Sequence, residues 1–311
     1  MTEKKTAPAL RQSKERTNTG QLSGLIPIIL SLCCVPPPPC YAGDTTSTIT
    51  LRQAIDPDYY NAHIWDDGKA EVARYRATRV IYGKPRLHEV TMITVSEDFD
   101  TATYTKAEPP YGETVVLPVM KLAVIATINT PNYPYHYMTT SFIDRSDPVS
   151  PLKLSTSSQE WCGTTSRNFE RWTETPRERF QSYWQNEGAG ERAVALRPGD
   201  LFEEDLPAVL RSLKFKDGLR ATFRLASNVT VVRTPPITIV PAVLAVAEEN
   251  KQWLVRIDTA DGRVLRIRFD PARNDVLQSL EHSDGRTLEL SAVARTAYWL
   301  RGETEAPNSS P

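Results

Sequence analysis

WLVRIDTADGRVLRIRFD (Trp253–Asp270) is the stretch that decides the fold. Two extended arms flank Asp261-Gly262, a pair that favours a tight hairpin because both residues tolerate positive φ. In the second arm Val264, Ile267 and Phe269 are apolar, while Arg263, Arg266 and Arg268 are charged. That is close to the two-residue period of a strand with one buried and one wet face. VLQSLEHSDGRTLELSAVARTAYWL (Val276–Leu300) repeats the design around Asp284-Gly285. Consecutive hairpins of this kind build an antiparallel meander, with no crossover long enough for a parallel sheet.

Upstream, β-branched and aromatic residues between turn signals extend the pattern. Strands are expected at Glu71–Tyr82, His88–Ser96, Val115–Ile128, Tyr137–Ile143, Leu152–Ser158, Asn168–Trp172, Phe180–Asn186, Leu219–Arg224, Thr230–Arg233 and Ala242–Glu248. Asp67-Gly68 and Asp217-Gly218 supply two more turns, and Pro235-Pro236 reads as a bend between strands. One segment is helical in pattern. Asp200-Leu-Phe-Glu-Glu offers an N-cap with an acidic first turn, and Leu206, Val209, Leu210 and Leu213 follow at three- and four-residue spacing. The expectation is a mainly β protein: one large curved antiparallel sheet or open barrel, shaped like a lipoprotein carrier or a lipocalin half-barrel, with a short helix near Asp205–Leu213.

The N-terminus reads as an address. Residues 1–20 carry Lys4, Lys5, Arg11, Lys14 and Arg16, then comes the uncharged LSGLIPIILSLCCV (Leu22–Val35), then PPPPCYAG. A basic region, a short apolar run and a small-residue exit describe a secretory signal, with cleavage after Ala42. The run is too short for a spanning helix, and Pro27 interrupts it. The alternative is acylation of Cys34, which anchors a protein without spanning the membrane. The expected layout is a signal peptide at 1–42, a single β-rich domain at 43–302 and a disordered tail at 303–311. Removing residues 1–42 leaves a net charge of −4 and one cysteine, Cys162, so no internal disulfide is available. Across the chain, 37 Lys and Arg face 38 Asp and Glu, which excludes a broad electrostatic footprint for nucleic acid.

No phosphate-binding glycine loop, HExxH or GxSxG occurs. His63, His88, His136 and His282 are scattered, so neither a metal nor a cofactor is expected. Four features carry what chemistry there is. Cys162, in QEWCGTTS, is either a nucleophile awaiting a histidine or a small residue packed under Trp161. The aromatics Tyr133, Tyr135, Tyr137, Trp161, Tyr183 and Trp184 form either a ligand wall or a seal on one end of the core. Asp66 and Asp67 are either an acid–base pair or part of a hairpin turn. Arg167, Arg171, Arg177, Arg179, Arg192 and Arg197, interleaved with Glu170, Glu174, Glu178, Glu187 and Glu191, read as a solvated face.

WDDGKAEVARYRATRVIYGKPRLHEVTMITVSEDF (Trp65–Phe99), NYPYHYMTTSF (Asn132–Phe142), LKLSTSSQEWCG (Leu152–Gly163) and YWQNEG (Tyr183–Gly188), in this order, resemble a family of uncharacterised exported bacterial proteins. Many of that family are lipoproteins, and some are labelled septum-formation inhibitors. The resemblance covers Trp65 to Leu300, and its most specific marks are the EWCG segment and the tyrosine-rich segment before it. It implies export and an envelope role, periplasmic or at the outer membrane, and it carries over no catalytic residue. The expectation from the sequence is therefore a non-enzymatic envelope protein. It binds a lipid, another apolar ligand or an envelope protein partner on an aromatic concave face. The alternatives are a Cys162-dependent hydrolase and an envelope assembly component.

Overall fold

The computed structural model describes residues 48–300, apart from 114, 172 and 173. The protein is mainly β, with one large, open, curved sheet of 17 strands. The expected signal segment at 1–42 and the tail at 303–311 lie outside the described residues. No helix among the described residues is long and apolar enough to cross a membrane.

The chain enters through β1 (Ile49–Thr50) and one helical turn, α1 (Leu51–Ala54). A first meander follows: β2 (Ala70–Ile81), β3 (Lys84–Asp100), a short side strand β4 (Thr105–Ala107), β5 (Val116–Asn129), β6 (Pro134–Asp144), β7 (Pro151–Glu160), β8 (Gly163–Glu170), β9 (Arg177–Gln181) and β10 (Ala189–Ala193). Then β11 (Leu201–Phe202) leads into a helical run over residues 203–212, which contains α2 (Leu206–Val209). A second meander closes the order: β12 (Arg220–Ala226), β13 (Ile239–Glu249), β14 (Gln252–Thr259), β15 (Val264–Asp270), β16 (Val276–His282) and β17 (Thr287–Thr296). The two meanders share one sheet because the last strand pairs with the first long one. β17 runs antiparallel to β2, from Thr287 opposite Thr78 to Thr296 opposite Ala70. At the far side of the second meander β1 and β11 lie parallel to β12, the two parallel pairs among the described strands.

The Asp-Gly hairpins form as the sequence predicts. Gly262 and Gly285 take φ of 86° and 91° between β14 and β15 and between β16 and β17. Asn250 and Lys251 turn the chain between β13 and β14 with both φ positive, whereas at the two Asp-Gly turns only the glycine's φ is positive. Asp67-Gly68 is not a hairpin: it links a 3₁₀ turn (His63–Asp66) to β2. Phe180–Asn186 is strand only to Gln181, and Tyr298–Leu300 is a 3₁₀ turn, not the end of a strand.

The core follows from strand alternation. Ala73, Tyr75 and Ala77 of β2, Val90 and Met92 of β3, Val255 and Ile257 of β14, and Leu265, Ile267 and Phe269 of β15 bury one side of the sheet. Leu206, Val209, Leu210 and Leu213 pack on that wall, all but excluded from solvent, and Pro207 opens α2 at a position where its missing N–H costs nothing. Each such side chain contributes about 1.5–3 kcal/mol by leaving water.

The inner face of β6–β8 is different: Thr139, Ser141, Thr156, Ser158, Thr165 and Arg167 are buried there. The connection between β12 and β13, residues 227–238, lies against this face as an irregular segment. The expected strand Thr230–Arg233 falls inside it and is not one. Its β-branched residues suit a strand, but its polar backbone is met by side chains. Thr165 Oγ1 donates to Val232 O (3.2 Å), and Arg167 Nη2 donates to Pro235 O (2.8 Å). Pro235-Pro236 thus belongs to a crossing segment.

Candidate functional site

A cavity of about 150 Å³ lies between the inner faces of β2, β3, β5 and β6 and those of β15–β17. Pro207 of α2 and Asn228 and Thr230 of the crossing segment complete its wall. Strand alternation supplies an apolar side to the lining: Val90, Met92, Val124, Ala126, Leu280 and Leu288 all face it. Ala77 and Ala126 leave the space that a larger side chain would fill.

His88 of β3, Thr139 of β6 and Thr230 of the crossing segment are among its polar residues; its arginines and carboxylates come from β2, the helical run and the β16–β17 hairpin. Arg79 continues the inward series Ala73, Tyr75, Ala77 on β2, so the alternation that buries methyl groups carries a guanidinium into the same space. Its Nη2 donates to Thr230 O (2.6 Å), and its Cζ stands 4.4 Å from the centre of the Tyr137 ring. Burial lowers its pKa from the ordinary arginine value. From the start of the helical run, Glu204 Oε1 accepts from Val229 N (2.8 Å), Thr230 N (2.9 Å) and Thr230 Oγ1 (2.9 Å). Glu204 Oε2 is hidden from solvent and has no hydrogen-bond partner. Burial, and the Glu203 charge beside it, raise the Glu204 carboxyl above its usual range.

Glu203 is the hub of an ion cluster. Its Oε2 accepts from Arg286 Nη2 (2.6 Å), and its Oε1 pairs closely with Arg263 Nη1. His282 Nε2 stands 3.6 Å from Oε1, beyond a hydrogen bond, and His282 Nδ1 lies 2.9 Å from Asp284 Oδ1. Burial works to raise the Glu203 carboxyl, but His282 and Arg286 outweigh it and hold the group at about 2. Burial works to lower the His282 imidazole, and Asp284 and Glu203 together raise it.

The aromatic residues singled out from the sequence divide into three settings. Tyr137 alone of them lines the cavity; Tyr135 stacks beside it at 6.1 Å, under Val232 of the crossing segment. Tyr133 and Trp161 belong to hairpin ends, with ring centres 6.0 Å apart, and Tyr133 and Tyr135 share a hydroxyl cluster with Tyr82. Trp161 is 78% exposed. Tyr183 packs over Gly163, where an added Cβ would meet its ring at 2.2 Å, which explains the glycine after Cys162. Trp184 is covered by the Arg233 guanidinium at 3.6 Å. The cavity wall therefore mixes aliphatic and polar side chains with Tyr137, and the other named aromatics gather at hairpin ends and beside the crossing segment.

Cys162 is exposed, so it is not packed under Trp161. Its Sγ lies 3.8 Å from the Tyr133 hydroxyl, and no described histidine hydrogen-bonds to it. The two adjacent carboxylates are each taken by an arginine. Asp66 pairs with Arg145 (2.7 and 2.9 Å), and Asp67 with Arg295 (2.9 and 2.6 Å). The Arg295 hydrogen bonds hold the Asp67 carboxyl at about 2. The arginine-rich face is partly interior: Arg167 and Arg192 both donate to the fully buried Glu178 at 2.6 Å, and Arg171 donates to the buried Asp205 at 2.8 Å. No group of three or more His, Cys, Asp or Glu among the described residues is placed to hold a metal ion.

Arg79, Glu203, Glu204, His282 and Arg286 are the site residues that sequence reading passed over. A signal existed for Arg79, a charge in phase with Ala73, Tyr75 and Ala77. Glu203 and Glu204 were hidden as the acidic first turn of a helix.

No family model matches the sequence, and no curated protein does. A solved structure of a DUF1089 family protein from Pseudomonas aeruginosa is similar over 51% of this chain and 82% of that one, at 10% identity and a TM-score of 0.34. That likeness is too low to carry an argument about function.

Proposed function

We propose that the protein is an exported, non-enzymatic envelope protein that binds a small apolar ligand, or the apolar part of a larger one, in its inner cavity. One observation carries this reading: a space of about 150 Å³ with an apolar side inside the curved sheet, bordered at the crossing segment by charged side chains. Dry cavities of that size accept benzene-sized molecules. Export is supported by the basic–apolar–small pattern of residues 1–42 and by the family resemblance. A second reading, a protein partner on the outer face, draws on Leu87, Ile125 and Met138, which are exposed there, with Ile125 directly opposite Met138.

Native mass spectrometry of the full chain, expressed in a bacterial host, tests the first reading. The expected result is the mass left by cleavage after Ala42 together with a discrete small apolar adduct, or uptake of the neutral probe N-phenyl-1-naphthylamine by ligand-free protein. Ala126→Phe fills the cavity and is expected to abolish both while leaving the far-UV circular dichroism unchanged. Wild-type protein that carries no adduct and takes up no probe would sink the reading. A triacyl mass increment on Cys34 would replace the soluble form with an anchored one.

A further inference from the structure

We propose that the ligand of the cavity carries a carboxylate, which pairs with Arg79, while its alkyl part lies against Val90, Met92, Val124, Ala126 and Leu280. The inference rests on the reading of the cavity as a ligand site and adds the chemistry of the ligand's head.

Charge balance inside the cavity is the argument. Arg79 is held in place by Thr230 O and by the Tyr137 ring, and neither neutralises it. It makes no ion pair among the described residues. The other charges there are engaged with one another: Glu203 takes Arg263 and Arg286, Arg263 also takes Asp261, and Asp284 takes Arg286 and His282. Glu204 forms no salt bridge with Arg79. Its Oε1 is taken by Val229 N, Thr230 N and Thr230 Oγ1, and burial and the neighbouring Glu203 raise its carboxyl. A buried guanidinium with no salt-bridge partner is costly, and one monoanion bonded to it lowers that cost. A planar carboxylate also fits the two-pronged edge of a guanidinium. A phosphate dianion would need a second free cation, and Arg286 is already engaged by two carboxylates.

Displacement of N-phenyl-1-naphthylamine by octanoate, octan-1-ol and octyl phosphate, three ligands with one chain length, tests the assignment on the full chain. Octanoate is expected to bind about tenfold or more tighter than octan-1-ol, as a charge-assisted pair adds to the same chain burial. In Arg79→Met octanoate should fall to the level of octan-1-ol, whose own binding stays unchanged. Arg79→Lys, which keeps the charge, should retain most of the preference and covers the case in which the first variant fails to fold. Equal binding of octanoate and octan-1-ol by the wild type, or a preference that survives Arg79→Met, overturns the inference and leaves the cavity reading standing. Tighter binding of octyl phosphate overturns the choice of carboxylate. If none of the three displaces the probe, the cavity reading itself fails.

Discussion

The inner faces of β13–β15 and of β6–β8 are both buried, yet the first is mainly apolar and the second carries many polar groups. On β13–β15 the inward residues are Leu244, Val246, Val255, Ile257, Leu265, Ile267 and Phe269. On β6–β8 they include Thr139, Ser141, Thr156, Ser158, Thr165 and Arg167. What covers each wall explains the difference. The helical run over 203–212 pairs much of its own backbone and presents leucines, so its wall needs only shape and methyl groups. The crossing segment over 227–238 leaves amides and carbonyls open, and buried ones must be paired. Thr139 Oγ1 pairs with Thr230 Oγ1 at 2.7 Å, Arg192 Nη2 donates to Thr234 O at 2.9 Å, and Glu187 Oε2 accepts from Thr234 N at 2.9 Å. The irregular cover draws polar partners from the sheet beneath it, and the helical run does so at Asp205, which accepts from Ser141 of β6.

The comparison breaks or sharpens by substitution. The largest effect is expected from Glu178→Ala on the polar side. Glu178 is fully buried between Arg167 and Arg192, and its loss strands the buried Arg167 cation. The expected cost is about 3–5 kcal/mol in urea unfolding. Ile257→Thr should come next, at about 2 kcal/mol, because it puts a hydroxyl on a wall of leucine, valine and phenylalanine. Thr139→Val should be the mildest, at about 1 kcal/mol, since Thr230 keeps its bond to Glu204. Should Ile257→Thr prove cheaper than Thr139→Val in the same urea series, the two walls are not distinct in the way described.

How much of this was legible depends on the range of the signal. The Asp-Gly hairpins are local and form as the sequence predicts; the alternation in Arg263–Asp270 forms too, with Leu265, Ile267 and Phe269 buried and Val264 in the opposite phase. The leucine spacing at 206–213 placed the helical run. Thr230–Arg233 failed because strand propensity says nothing about which partner satisfies a backbone, and here the partners are side chains on β8 and at the β9–β10 turn. The cavity residues were harder still. Arg79 of β2 and Glu204 meet only because the sheet curls, and no spacing in the sequence encodes that approach. The arginine-rich run was read as solvated because its mixed charges resemble a surface, whereas Glu178 at 0% exposure makes part of it an interior ion network.

The pairing of β17 with β2 has a consequence for how the protein is made. The Ser291 hydroxyl donates to Arg74 O across 217 positions of sequence. At ribosomal speeds of about 5–20 residues per second, β2 waits roughly ten to forty seconds for that neighbour. Throughout that interval one side of the strand presents unpaired amides and carbonyls to other nascent chains. Arg74 and Arg76 put charge on its exposed outer face, and the contacts at the seam are not local enough to form early.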